Sequence, residues 1–250
     1  MLDRTFSQQE ELQFENWTVK VRRRAFRRKL SIYLKDSQFI YVNANRTLSS
    51  KQILMFLHQK RTWIIHGLKN LEIIESQIPK VSFIEGESLP INGGNYCLQF
   101  APTVLRKSFG SLSENQLILH FPIKKYQLGL SQQQVKEALQ AYYRTQFERE
   151  LLLKSPLWQQ KIGVQASEFK LRNQKSRWGS CNRRKVISLN YRLWGAPEFV
   201  RDYILIHELC HLQHMNHSAH FWKLVETHCP EYQDAESWLN EQGRILDFLI

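Results

Sequence analysis

The sequence predicts an α+β protein with two parts, a β-rich N-terminal region over residues 1–130 and a mainly helical C-terminal region over residues 131–250. Two patterns lead to this prediction. Before residue 130, apolar and polar residues alternate with a period of two in several short runs, as in half-buried strands. After residue 130, apolar residues recur mostly at the three- and four-residue spacing of helices. No linker rich in Pro, Ser or Gly separates the two regions.

In the N-terminal region, the first predicted element is a β-hairpin over residues 17–35. Its two strands alternate apolar and polar residues around a basic stretch, residues 20–29, with seven Lys or Arg side chains. This basic hairpin is either a solvated turn or a site for an anionic ligand such as phosphate or nucleic acid. A helix with one apolar face is expected over residues 47–70, followed by short strands over residues 80–130.

The C-terminal region begins with a predicted helix that Ser131 opens as part of a capping box. This helix is expected to end before Pro156, because proline interrupts helical hydrogen bonding. Two further strands are expected over residues 165–172 and 185–193. Pro197 then suits the first turn of a helix that runs through a group of histidines, and two more short helices follow it.

Length, composition and charge narrow the class of protein. The chain has 250 residues, 42% of them hydrophobic, and a formal net charge of +12. This hydrophobic content exceeds that of disordered chains, and no apolar run approaches the roughly 18 residues of a membrane-spanning helix. The N-terminus lacks the apolar stretch of a secretory signal, and the four cysteines form no C-x-x-C pair. We therefore expect a soluble, basic, cytoplasmic protein with reduced thiols and no membrane partner.

The C-terminal region contains a candidate metal site. His207, Glu208 and His211 form the motif H-E-x-x-H on a predicted helix. The i, i+4 spacing places the two histidines on one helix face, about 5–6 Å apart at Cβ, where both imidazoles can reach one Zn²⁺. Glu208 then lies beside the metal, where it can accept a proton from a zinc-bound water and act as the catalytic base.

Three kinds of residue are candidates for the third metal ligand. His217 follows His207 by ten residues and can turn back towards the pair if the helix ends near residues 215–216. His214 lies two helical turns from His207, about 10 Å along the axis, where convergence on one ion is poor. The remaining alternative is a carboxylate from the helices that follow, namely Glu226, Glu231 or Glu236. The spacing favours His217.

Several segments of the chain resemble the YgjP-like metallopeptidase family. They are KSRWGSC at 175–181, ISLN at 187–190, HELCHL at 207–212, NHS at 216–218 and FW at 221–222. The resemblance spans nearly the whole chain, and most of its specific residues lie in the last 120. It implies a zincin-like metallohydrolase core in which His207, His211 and His217 hold Zn²⁺ and Glu208 is the catalytic base. It also implies a small sheet beside the active-site helix.

The substrate class has three candidates. We expect a peptidase because of the motif itself, and because residues 185–190 can serve as an edge strand that an extended peptide joins. The first alternative is a metal-dependent nucleotide pyrophosphatase, since some members of the resembling family are described as splitting UTP to UMP. The basic residues near 175–184 suit such an anionic substrate. The second alternative is a zinc-containing module that binds nucleic acid or a protein partner, for which Glu208 has no evident use.

Six residues around the two later strands are candidates for binding the substrate. They are Lys175, Arg177, Trp178, Asn190, Tyr191 and Arg192. Arg177, Tyr191 and Arg192 are also candidates for stabilising the oxyanion that develops on the substrate, and spacing does not choose among these three.

Overall fold

The computed structural model describes residues 8–25, 27, 29–77 and 80–249. The chain forms two compact units, Met1–Gln77 and Ile78–Ile250. Both units combine helices with strands, so the predicted α+β class is confirmed. The expected boundary near residue 130 lies inside the second unit, because the strands between residues 88 and 122 share a core with the helices that follow. Among the described residues, no helix combines the length and the apolar character that crossing a membrane requires.

The N-terminal unit consists of a four-stranded sheet and two helices. Its elements in chain order are β1 (Gln8–Phe14), β2 (Trp17–Arg24), β3 (Ser31–Leu34), β4 (Phe39–Asn45), α1 (Ser50–Gln59) and α2 (Arg61–Gln77). The strands lie in the order β1–β2–β4–β3, with β2 and β4 parallel and the other neighbours antiparallel. Buried strand residues such as Val19 and Val42 share one core with Ile53 of α1 and Ile64 of α2.

The predicted hairpin over residues 17–35 is wrong, although both of its strands exist. β4 lies between β2 and β3, so the two strands are not neighbours. β2 instead forms a hairpin with β1, and Glu15 in the two-residue turn takes a positive φ of 52°, as tight hairpin turns require. Alternation predicts strands but does not determine which strands pair. Arg28 of the basic stretch lies outside the described residues.

The helix expected over residues 47–70 is two helices. Ser49 and Gln52 form a capping box that starts α1, and Lys60 ends it one residue before α2 begins. The spacing of apolar residues did not reveal the break between them, because both helices turn an apolar face to the same core.

The C-terminal unit contains two sheets and the helix that carries the histidine motif. The first sheet comprises β5 (Ser88–Ile91), β6 (Gly94–Thr103), β7 (Phe109–Ser113) and β8 (Gln116–Pro122), and the helices α3 (Ile123–Gln127) and α4 (Gln132–Ile162) follow it. The second sheet comprises β9 (Glu168–Arg172), β10 (Gly179–Cys181) and β11 (Val186–Asn190). The chain ends with a 3-10 helix (Tyr191–Gly195), α5 (Glu198–Cys210), α6 (Ala219–His228), α7 (Tyr232–Glu241) and a second 3-10 helix (Gly243–Leu249).

The second sheet places a short strand beside the motif helix. Its order is β10–β11–β9, with β11 antiparallel to β10 and parallel to β9. α5 lies against β10 and β11. Residues 185–190, expected as an edge strand, therefore form the centre of the sheet, and the edge strand next to α5 is β10. With three residues, β10 is too short to show an alternating pattern.

The expectation that α4 ends before Pro156 is wrong, because the helix continues to a left-handed C-cap at Gly163. Pro156 is exposed, and so is Leu152, whose carbonyl loses its helical donor, so the interruption lies on the solvent side of the helix. The last turns remain helical because they are anchored to the core. The buried Gln159 side chain, for example, accepts a hydrogen bond from the backbone N–H of Ala166 at 2.8 Å.

Candidate metal centre

His207 and His211 lie on one face at the end of α5. The residues immediately before the motif, 204–206, are buried and fix the orientation of this helix in the core. The ring centroids of the two histidines are 4.9 Å apart. α5 ends at Cys210 with His211 as its C-cap, earlier than the stop expected at residues 215–216. Asn216 does not take the left-handed conformation expected for that stop.

The turn after α5 brings His217 back to the pair. Its Nε2 atom lies 3.1 Å from Nε2 of His207, and one ligand nitrogen from each of the three histidines lies within 4.8 Å of the others. Phe221 of α6 is fully buried and contacts all three imidazoles, with centroid distances of 4.9, 4.5 and 4.8 Å to His207, His211 and His217. The structure therefore gathers the three predicted ligands on one aromatic support.

Hydrogen bonds assign the tautomers of two of these imidazoles. Nδ1 of His211 donates to the backbone carbonyl of His214 at 3.0 Å, so Nε2 carries no proton in the neutral ring. The Tyr203 hydroxyl donates to Glu236 at 2.8 Å and therefore accepts from Nδ1 of His207, 3.3 Å away. His207 and His211 thus present two bare Nε2 atoms to the same space, where a cation would stabilise both lone pairs.

Burial keeps the two imidazoles of α5 neutral. It lowers the pKa of His207 to about 3, and the neighbouring His211 and His217 add to this effect. Burial also lowers the pKa of His211. Because a metal binds the neutral imidazole, these two rings can act as ligands at neutral pH without first losing a proton.

The residues present fit a bound Zn²⁺. Two ligands of a tetrahedral zinc ion at 2.0–2.1 Å lie about 3.3 Å apart, close to the 3.1 Å between Nε2 of His207 and Nε2 of His217. Among the described residues, the cluster of possible metal ligands contains three histidines. Catalytic zinc sites have three protein ligands and leave the fourth position to water. The donor chemistry therefore matches a catalytic rather than a closed structural site.

The alternative third ligands lie elsewhere. The His214 ring stacks on His220 with a centroid distance of 6.2 Å. Glu236 accepts its hydrogen bond from Tyr203, and the described cluster of ligand atoms does not include it. Glu226 and Glu231 are both exposed.

Glu208 is buried beside the three histidines. It is 5% exposed, and its Oε2 atom has no hydrogen-bond partner among the described residues. The carboxyl group packs against the backbone of Gly179 in β10, where a Cβ atom would lie 2.7 Å from Cγ of Glu208. Burial raises the pKa of Glu208 to about 8, and the positive charge of Arg177 opposes this rise. A carboxylate with a pKa near neutrality can both accept and return a proton at physiological pH.

His207 and Glu208 both line a cleft of about 280 Å³. The rest of its lining comes from the end of the 175–179 loop, α5 and α7. These residues are Trp178, Gly179, Tyr203, Ile204, Glu236, Leu239 and Asn240. The candidate base and one candidate metal ligand therefore both face a space that a substrate can enter.

A second cavity, of about 140 Å³, shares Trp178 and Leu239 with this cleft. Its charged lining residues are Lys175, Arg177, Arg192, Arg244 and Asp247. Asp247 forms ion pairs with Arg192 and Arg244. Lys175 and Arg177 form no ion pair with the described residues, so the lining of the cavity carries an excess of positive charge.

Asn190 and Tyr191 line neither of these two cavities. Asn190 is fully buried, and its side-chain amide donates to the backbone carbonyls of Gln174 at 2.8 Å and Arg177 at 3.2 Å. It thereby holds the loop that carries Trp178. Tyr191 is buried in the core, and burial raises its pKa. Of the six predicted substrate-binding residues, the structure thus brings the other four together.

The roles of three residues of the site are not predicted by the sequence. Tyr203 precedes His207 by four residues on the same helix face, and this spacing is the signal that could identify it. The role of Glu236 as the acceptor of the Tyr203 hydroxyl depends on the packing of α7 against α5, which no local pattern indicates. Gly179 is recognisable only from its contact with Glu208.

Substitution of Gly179 by alanine is expected to lower turnover about 100-fold while zinc stays bound. The added methyl group would lie 2.7 Å from Cγ and 2.8 Å from Cδ of Glu208, so the carboxyl group must move. Turnover and zinc content of Gly179→Ala should be measured beside Ser180→Ala, the next residue of β10, which adds no atom. Unchanged turnover in Gly179→Ala would show that this contact does not position Glu208.

Comparison with known proteins gives one family match and one structural match. A model of the family described as YgjP-like, metallopeptidase domain, matches residues 28–242. A solved structure, the crystal structure of the metallopeptidase zymogen of Pyrococcus abyssi abylysin, is 25% identical with a TM-score of 0.33. This similarity covers 36% of the present chain and 91% of that chain. No curated protein matches the chain significantly.

Proposed function

This chain belongs to the YgjP-like metallopeptidase family, and from that membership we propose that it is a zinc-dependent peptidase. One observation carries the proposal. Two bare imidazole nitrogens and a third histidine converge next to Glu208, a buried carboxyl group with an unpartnered oxygen, and His207 and Glu208 both line one cleft. Imidazole ligands favour Zn²⁺ over Mg²⁺ or Ca²⁺, which prefer oxygen.

In this proposal His207, His211 and His217 hold the metal and Glu208 moves the proton. A bound Zn²⁺ supplies Lewis acidity, which polarises water and the scissile carbonyl. Glu208 accepts a proton from the attacking water at Oε2 as the water oxygen bonds to the carbonyl carbon. It then returns this proton to the amine nitrogen when the C–N bond breaks. Tyr203 and Glu236 keep the Nδ1 proton of His207 directed away from the metal side of the ring.

The edge strand β10 supports a peptide as the substrate. Among the described residues, β10 pairs with β11 on one side and has no strand on the other. An extended peptide can therefore add to this edge through main-chain hydrogen bonds, beside the carboxyl group of Glu208 that packs on Gly179. Trp178 and Leu239 provide apolar surface in the same cleft for a substrate side chain.

The second cavity favours a nucleotide as the alternative substrate. Lys175 and Arg177 line it, form no ion pair with the described residues and are suited to binding phosphate oxygens. Because the cavity shares Trp178 with the cleft, a bound triphosphate could extend from one to the other. In this alternative, Glu208 would accept a proton from the water that attacks phosphorus, and pyrophosphate would leave.

The two reactions are distinguished by incubating the zinc-loaded protein with an unfolded protein and, separately, with UTP. We expect new peptide N-termini with the first substrate and no pyrophosphate with the second. Glu208→Gln, purified in the same way, controls for contaminating hydrolases. Pyrophosphate release without peptide cleavage would contradict the peptidase proposal and favour the nucleotide alternative.

A further inference from the structure

The sheet of the N-terminal unit has one face that its own helices do not cover. Alternate residues of β2 and β4, such as Val19 and Val42, point into the core with α1 and α2. The residues between them lie on the opposite, outer face. On β2 these are Lys20, Arg22 and Arg24, on β4 they include Phe39 and Tyr41, and on β3 they include Tyr33.

Three aromatic side chains lie side by side on the outer face. Tyr33 and Tyr41 occupy directly opposite positions in β3 and β4 and stack with centroids 5.2 Å apart and an interplanar angle of 19°. Phe39 meets Tyr41 edge-on at 6.3 Å. Tyr33 is 42% exposed although it belongs to a regular strand. These rings add little to the core, so they offer accessible π surface.

Cations border the aromatic rings along one line. Lys20 places its Nζ atom 3.4 Å from the centroid of Phe39. Arg22 and Arg24 continue along β2, are exposed, and form no ion pair with the described residues. Arg23, between them, points inward and is bound to Glu10, so it has a structural role. Two carboxylates lie at the outer face. Glu11 lies opposite Lys20 in β1, and Asp36 accepts a hydrogen bond from the Tyr41 hydroxyl at 2.6 Å.

We propose that this outer face binds single-stranded nucleic acid, with bases stacked on Tyr33 and Tyr41 and phosphates paired with Lys20, Arg22 and Arg24. Aromatic rings beside a line of cations match a chain in which flat bases alternate with negative charges. A duplex hides its base faces, and the Asp and Glu side chains of an acidic peptide have no rings to stack. The net charge of the N-terminal unit supports a polyanion as the ligand, since residues 1–77 contain fourteen Lys or Arg and seven Asp or Glu.

Fluorescence anisotropy with the full chain and a labelled oligothymidylate of about ten nucleotides tests the proposal, and an oligouridylate of equal length distinguishes DNA from RNA. Tyr33→Ala should raise Kd about tenfold, leave the salt dependence of binding unchanged, and be reversed by Tyr33→Phe. Arg22→Ala should reduce the slope of log affinity against log salt by about 0.7.

Matched control substitutions on the helices distinguish binding at this outer face from a general effect of the protein's positive charge. Trp63 is an aromatic residue of α2 that is 54% exposed, and Lys51 is an exposed cation of α1. Trp63→Ala and Lys51→Ala should leave Kd and slope unchanged, and the thermal unfolding curve of each variant verifies folding. The proposal is overturned if the oligonucleotide does not bind, if Tyr33→Ala binds normally, or if a duplex or heparin binds as tightly as the single strand.

Discussion

Replacing Glu208 by glutamine is expected to lower kcat by at least about 100-fold while the zinc content stays at the wild-type level. Glutamine keeps the size of the side chain and its packing on Gly179, but it cannot accept a proton. None of the three candidate metal ligands is changed. Turnover and metal content should be measured on the same preparation, so that loss of the base is distinguished from loss of the metal.

The matched control is Glu198→Gln at the start of the same helix. The Glu198 carboxylate is 66% exposed and pairs with Lys154 at 2.6 Å. The substitution therefore removes one carboxylate from α5 at a position that does not line the cleft. We expect kcat within about twofold of the wild type, because exposed ion pairs contribute little and Lys154 keeps its pairs with Asp202 and Glu150. If Glu208→Gln stays as active as Glu198→Gln on a substrate that the wild type hydrolyses, Glu208 is not the base.

Replacing His217 by alanine is expected to reduce zinc affinity by at least about 100-fold and to lower turnover in proportion at limiting zinc. The variant keeps the two imidazoles at the end of α5, but these two ligands alone leave the ion without its third protein ligand. Competition with a chromogenic chelator measures the affinity directly and does not depend on a substrate.

His214→Ala provides the matched control for His217→Ala. It removes an imidazole from the same turn but keeps the backbone carbonyl that accepts the hydrogen bond of His211. Zinc affinity should stay within a few-fold of the wild type. Equal affinities of the two variants would show that His217 is not a ligand, whereas a larger loss in His214→Ala would assign the third position to His214.

The sequence was sufficient to predict the elements that follow from local patterns. The capping box at Ser131 and the two short helices expected after the histidine helix are both present in the structure. The i, i+4 spacing of His207 and His211 correctly placed them on one helix face. These features depend on neighbours a few residues apart, for which spacing and side-chain chemistry suffice.

Features that depend on distant parts of the chain were not predictable in the same way. The pairing of β2 with β1 and β4 is a choice among strands of similar pattern, and the predicted hairpin wrongly paired β2 with β3. The end of α5 at Cys210 and the return of His217 are supported by Phe221 of the next helix. The contact of Glu208 with Gly179 joins a helix to a three-residue strand. Such contacts arise only when separate elements pack.

A crystal structure of the zinc-loaded protein, with anomalous diffraction recorded at the zinc absorption edge, tests the central claim most directly. We predict one anomalous peak within about 2.0–2.1 Å of Nε2 of both His207 and His211, with His217 as the third ligand. Glu208 should lie beside this peak without ligating it. A peak elsewhere, or three imidazoles that point apart around no peak, would contradict the account.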